Sequence, residues 1–192
     1  MIRFALLFLI AASCGFAQSP ITPAAGKFPA LMVQVTVGTQ QRPEKGSFYR
    51  KTMTVSPKVT IDGPSRMLPI PAMEATMVIV TMDTRAKYVG NDESYKVHST
   101  ETIPIPAAQT GDRRPFSFME SSMTYDSYRD NSNAGGEVYK YYVFGLRDPA
   151  TKTLVDFKTN NPPLATFIKA HPEKRDELLG LSKGAKFPAV FK

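Results

Sequence analysis

The sequence predicts a mainly β protein, an antiparallel β-sandwich with one or two short C-terminal helices. Three observations carry this. Short apolar or alternating runs recur about every ten residues, separated by Gly, Pro, Asn and Asp. Prolines crowd the outer runs, between Pro57 and Pro71 and again at Pro104 and Pro106, which marks edge strands. The stretch Glu137 to Lys158, EVYKYYVFGLRDPATKTLVDFK, reads as two strands joined at Asp148-Pro149, the first two residues of a type I turn. Its apolar side chains fall on both faces: Val138, Tyr142, Phe144 and Leu146 on one, Tyr139, Tyr141 and Val143 on the other. A pair covered on both sides belongs at the centre of a sheet.

Taken in order, the chain begins with an export signal. Arg3 is a short positive region, Phe4 to Ala12 an apolar one, and Gly15-Phe16-Ala17 a small-x-small cleavage site, so residues 1–17 are expected to be removed. The apolar run is too short for a membrane span, and no transmembrane helix is expected in the mature chain. Cys14, the only cysteine, lies inside this signal, so the remaining chain holds no thiol and its stability must come from a core. A competing reading makes Cys14 a lipid anchor. Ala12-Ser13-Cys14 suits it, while Ala11 replaces the larger aliphatic such sites carry. Either way the protein is expected to be exported: periplasmic, outer-envelope or extracellular.

Residues 18–30, rich in Pro, Ala and Ser, form a flexible lead-in, and the sandwich is expected over 31–160. Leu31 to Val37 alternates Leu31, Val33, Val35 and Val37 against Gln34 and Thr36, a strand with one wet face. Gly38 to Ser47 is a loop or an extension of that strand, and Phe48 to Ser56 is the second strand. The prolines from 57 to 71 leave room for a short edge strand around Val59 to Ile61 at most. Ala75 to Met82, ATMVIVTM, is a central strand with Met77 and Ile79 facing one way and Val78 and Val80 the other; its β-branched content disfavours a helix. Thr84 to Asn91 turns the chain, Tyr95 to Ile105 is an edge strand, and Phe116 to Tyr125 is one more strand. Asp126 to Gly136, DSYRDNSNAGG, is a long polar loop, either mobile or a presented surface.

Residues 161–192 form a helical extension and basic tail. Asn161-Pro162 supplies an N-cap and first-turn proline, and Leu164, Phe167 and Ile168 keep helical spacing. PEKRDELL is a second helix ended by Gly180, and Phe187, Val190 and Phe191 of the basic tail are placed to dock. The helices are expected to cover one end of the sandwich.

The run YKYYVFGLRDPATKTLVDFKTNNPP resembles the last hairpin of immunoglobulin-like modules in exported bacterial proteins. It lacks the two core cysteines and core tryptophan of true immunoglobulin domains. The resemblance implies an immunoglobulin-like sandwich and a habit of binding, with no residue-level role to carry over.

The chemistry-bearing residues are sparse. No G-x-S-x-G occurs, the nearest string being Gly63-Pro64-Ser65-Arg66-Met67, and H-E-x-x-H and a phosphate loop are absent. His98 reads as a strand-surface residue and His171 as a cap. Asp126, Asp130, Asn131 and Asn133 lack the register of a calcium loop and suit turn formation better. No cofactor and no metal are therefore expected. The net charge is +7, but Lys and Arg are scattered in runs no longer than two, and no nucleic-acid motif accompanies them. Nucleic acid is not an expected partner. The remaining signal is aromatic. Tyr125, Tyr128, Arg129, Asn131 and Tyr139, around the long loop and the hairpin that follows it, are the candidate binding residues, because tyrosine offers a flat apolar face with a polar tip. The expected function is a secreted or envelope-associated, non-catalytic binding or structural role, with a cell-envelope glycan or protein as partner. The alternative is a small envelope hydrolase using a carboxylate pair.

Overall fold

A computed structural model describes residues 31–62, 70–88, 94–107, 114–129 and 131–188. The export signal, Cys14 and the lead-in lie outside the described residues. The elements are β1 (Met32–Pro43), β2 (Arg50–Asp62), β3 (Met73–Asp83), α1 (Thr84–Tyr88), β4 (Tyr95–Ile105), β5 (Arg114–Ser117), β6 (Ser121–Asp126), β7 (Glu137–Arg147), β8 (Leu154–Thr159), α2 (Pro162–Ala170), α3 (Lys174–Leu179) and β9 (Lys186–Phe187). The protein is a mainly β, antiparallel sandwich. One sheet is β1-β2 with β5 and β6 both pairing β2, and the other runs β8-β7-β3-β4-β9. With β5 and β6 together in the place of strand E, the orders β1-β2-β5/β6 and β8-β7-β3-β4 follow the A-B-E and G-F-C-C′ sheets of immunoglobulin-like folds, with no D strand among the described residues.

The alternation explains why β3 is central. Met77 and Ile79 enter the core between the sheets with Val55, Ile61 and Phe144, while Val78 and Val80 face outward. Those outward residues are covered as well. α2 and α3 lay Leu164, Ile168, Leu178 and Leu179 over Val78, Val80, Tyr141 and Val143. The helices thus cover a face of the second sheet, and not one end of the sandwich as the sequence implied. A buried strand with apolar residues on both faces demands a cover on both, and the amphipathic helices supply the second. The helix caps follow the sequence: Asn161 Oδ1 accepts from Leu164 N at 3.2 Å, with proline in the first turn. At Gly145 the close approach of α3 leaves no room for a side chain, since a Cβ there would collide with Leu179.

Several boundaries differ from the sequence reading. β2 is not interrupted at Pro57 but runs through it to Asp62, with β1 on one side and β5 and β6 on the other. Pro57 O accepts from Phe118 N at 3.0 Å. The prolyl nitrogen therefore faces the same flank, at the interruption between β5 and β6, where its missing N–H breaks no ladder bond. The expected strand Phe116 to Tyr125 is correspondingly two strands, broken at residues 118–120. β4 is paired at its outer side over Tyr95 and Lys96 by β9, so it is not a free edge there. Of the hairpin, β7 is central but β8 is the edge of its sheet. Its connection is longer than a simple type I turn: Lys152 N donates to Asp148 O at 2.8 Å, and Lys152 takes φ 57°.

Candidate functional site

The register of β3 on β7 shifts between Val80 and Thr81, so that Val80 opposes Tyr141 and Thr81 opposes Tyr139. Lys140 is the extra residue of a bulge, and a bulge re-aims the side chains around it. Tyr139 consequently packs toward the core between the sheets, alongside its neighbour Val138. Strict alternation puts it on the opposite face; the bulge overturns that. Val138, Tyr139 and Lys140 all line one cleft.

This cleft, of about 310 Å³, lies where the sheets meet. Tyr125 of β6 pairs with Gly136 just before β7, closing the seam between the sheets. Gly136 has φ 117°, and a Cβ on it would strike the Thr124 and Tyr125 backbone, so only glycine allows so close an approach. Lys51, opposite Tyr125 on β2, forms one wall. Thr84 and Lys87 of α1 form another, and Ser127 and Arg129 come from the loop after β6. Four cations from four elements, Lys51, Lys87, Arg129 and Lys140, therefore line one cleft, and among the described residues its lining includes no carboxylate.

The loop between β6 and β7 is held by its own polar side chains. Asp126 Oδ1 accepts from Tyr128 N at 2.8 Å and Oδ2 from Ala134 N at 2.9 Å. Asn133, buried, donates to Asp126 O and to Tyr128 O and accepts from Gly135 N. These are turn-forming roles. The carboxylate at the loop's start is thereby committed to backbone donors. Asp130 lies outside the described residues.

Of the five residues that the sequence singled out, the fold brings Tyr125, Arg129 and Tyr139 together on the cleft. Tyr125 is mostly buried, and its hydroxyl donates to Gln41 Oε1 at 3.1 Å. Burial raises the Tyr139 phenol well above its ordinary value, a hydrogen bond from Asn160 Nδ2 at 3.1 Å opposing this, so it stays neutral. Arg129 is exposed. Tyr128, in the loop that the sequence reads as mobile or presented, is half-buried because its ring meets Tyr49 edge-on with centroids 4.3 Å apart. Asn131 is exposed and does not line the cleft.

Sequence reasoning missed Lys51, Lys87, Lys140 and the Phe48-Tyr49 pair. Lys51 reaches the cleft only through its register with Tyr125, and no local pattern signals that. Phe48-Tyr49 did carry a signal: two aromatics directly after Lys45-Gly46-Ser47, where a turn would expose them.

A second polar cluster lies where β3, β4 and β7 run side by side. Glu137 receives Lys96 Nζ at 2.7 Å, Thr81 Oγ1 at 3.1 Å and approaches His98 Nδ1 at 2.7 Å. Burial pushes the Glu137 carboxyl up, but the bonds from Lys96 and His98 and the Lys96 charge outweigh it and hold it below the ordinary carboxylate value. His98 is thus a hydrogen-bond partner of Glu137 and not a plain strand-surface residue. His171 N donates to Phe167 O at the end of α2, and its ring packs on Phe167. Among the described residues no group of three or more His, Cys, Asp and Glu gathers at metal-binding range, and no helix is long and apolar enough to cross a membrane.

No protein-family model and no curated protein matches the chain. Loose similarity links it to solved structures. Bacteroides uniformis beta-glucuronidase 2, covalently bound to cyclophellitol-6-carboxylate aziridine, aligns with 65% of this chain at 17% identity and a TM-score of 0.35. The alignment spans only 12% of that enzyme's chain. A protein from Akkermansia muciniphila aligns with 69% of this chain and 72% of its own, at 10% identity and a TM-score of 0.32. A structural-genomics target, SoR45, aligns with 66% and 84% respectively, at 13% identity and a TM-score of 0.28. At such scores no activity passes from these proteins to this chain.

Proposed function

We propose that the chain is an exported, non-catalytic binding domain whose ligand carries carboxylate, phosphate or sulfate groups and docks in the cleft between β2, β6, β7 and α1. One observation carries this reading: Lys51, Lys87, Arg129 and Lys140 converge from separate elements on a cleft whose lining, among the described residues, has no acid. Cations gathered in a concavity with low-dielectric walls focus their field on whatever enters. Tyr139 and Tyr125 supply aromatic walls, and Thr84 and Ser127 supply hydroxyls for the neutral part of a ligand. The amino-terminal pattern of charge, apolar run and small-x-small site supports export. An acidic component of the cell envelope fits both features. A carboxylate-pair hydrolase gains no support here, because the described lining of the cleft offers neither acid.

The test is retention on a panel of acidic and neutral polysaccharides and isolated envelope, at low and high salt. The expected result is retention on acidic members only, reduced about tenfold or more in a Lys51→Ala, Arg129→Ala, Lys140→Ala variant that unfolds at the wild-type denaturant concentration. Retention of the variant equal to wild type, or equal binding to neutral polymers, overturns the reading.

A further inference from the structure

Phe48 is 92% exposed at the tip of the β1–β2 hairpin. The tip is held by hydrogen bonds: Glu44 N to Arg50 O at 2.9 Å, Ser47 N to Glu44 O at 3.1 Å, and Arg50 N to Ser47 Oγ at 2.9 Å. Gly46, at φ 82°, makes the turn. The ring is thus displayed by a built loop. A lone exposed apolar side chain is ordinary on a protein surface, but this one has a particular setting. Tyr49 beside it is half exposed and carries Tyr128 against its ring. Arg42, Lys45 and Arg50 are exposed around the tip, and Glu44, the acid of this turn, is engaged by Arg50 at 3.2 Å. Lys51, next in sequence to Arg50, and Arg129, next to Tyr128, belong to the cleft.

From these features we infer that the β1–β2 hairpin tip docks on an anionic lipid surface, with Phe48 entering it. An apolar tip, a collar of tyrosines and an outer ring of cations match the layers of such a surface: acyl chains, the interfacial region, and phosphate-bearing headgroups. The shape favours a bilayer over other anionic partners. A protein interface needs contiguous apolar ground around its anchor, and a sugar ring needs a platform to lie on. Phe48 instead projects past Tyr49 and Tyr128 from a narrow turn flanked by charge. This docking goes beyond the cleft reading and does not depend on what the cleft holds.

The chain contains no tryptophan, so Phe48→Trp introduces a single reporter at the tip. Met119→Trp, at a 75% exposed site in the break between β5 and β6, serves as the control. Each full-length variant is mixed with phosphatidylcholine vesicles and with vesicles that also contain phosphatidylglycerol. The expected result is a blue shift in the emission of the Phe48→Trp variant on the anionic vesicles only, with the Met119→Trp control unmoved. Phe48→Ala should weaken sedimentation with those vesicles about tenfold relative to wild type, the loss expected from withdrawing one phenyl ring from an apolar phase. Unshifted emission from the tip reporter overturns the proposal. So does an equal shift in the control, which would place the contact elsewhere in the chain. An equal shift of the tip reporter on an acidic polysaccharide would replace the bilayer with a polymer. Loss of acidic-polysaccharide retention leaves these outcomes unchanged, so the two readings fail separately.

Discussion

The two halves of β7 are built on different terms. From Tyr141 to Leu146 the strand is buried on both faces, with Phe144 and Leu146 in the core between the sheets and Tyr141 and Val143 beneath the helices. Gly145 lets α3 settle against it, and Arg147 ties the strand's end to Asp176 at 2.5 Å. From Glu137 to Lys140 it is half-buried, bulged and polar. One half is fixed by volume and the other by hydrogen bonds and charge. The candidate cleft lies where packing relaxes, and a side chain facing water at a bulge can be exchanged without rebuilding the core.

The comparison breaks most sharply at Phe144. Phe144→Ala should cost about 3–5 kcal/mol in denaturant unfolding, as for other fully buried aromatic truncations, while the folded fraction keeps wild-type retention on acidic polymers. Lost affinity in the folded fraction would mean that the two halves are coupled. Gly136→Ala comes next, at about 2–3 kcal/mol, since it combines left-handed backbone with a clash against the Thr124–Tyr125 main chain. Unlike Phe144→Ala it should also weaken ligand retention, because the seam that shapes the cleft must open.

The division between these halves was only partly legible. Alternation revealed both faces of β3 and the buried half of β7, because a period of two survives wherever a strand is regular. It misplaced Tyr139, since nothing in Tyr139-Lys140-Tyr141 announces an extra residue. Pro57 misled for a related reason: proline forbids a ladder bond, but the partner strand is interrupted just where that bond would fall. Three of five candidate binding residues reached the cleft because they flank one loop. The cations did not show, since Lys51 and Lys87 are brought in by cross-strand register and by α1, which read as a simple turn.

The smallest effect sharpens the comparison at the polar half. Glu137→Gln should cost less than about 1 kcal/mol, as expected of a partly exposed ion pair. Glu137 titrates lower in the folded chain than its unfolded value of 4.5. Its contribution is therefore complete above that pH and is lost as pH falls through the depressed folded value. Stability measured between pH 7 and pH 3 should decline less steeply in the variant than in wild type. An unchanged slope would assign the acid sensitivity to other carboxylates.

The cover over the second sheet has a consequence in time. α2, α3 and β9 follow every other described element, and among the described residues they supply the cover over Val78, Val80, Tyr141 and Val143. A polypeptide made from its amino terminus completes the other strands of the sandwich before these segments exist. Until they emerge, an oily sheet face stands open to any neighbour. Laying down α2 and α3 thus follows β1 to β8, and a stop codon ahead of Pro162 should leave a nearly finished sandwich prone to clump.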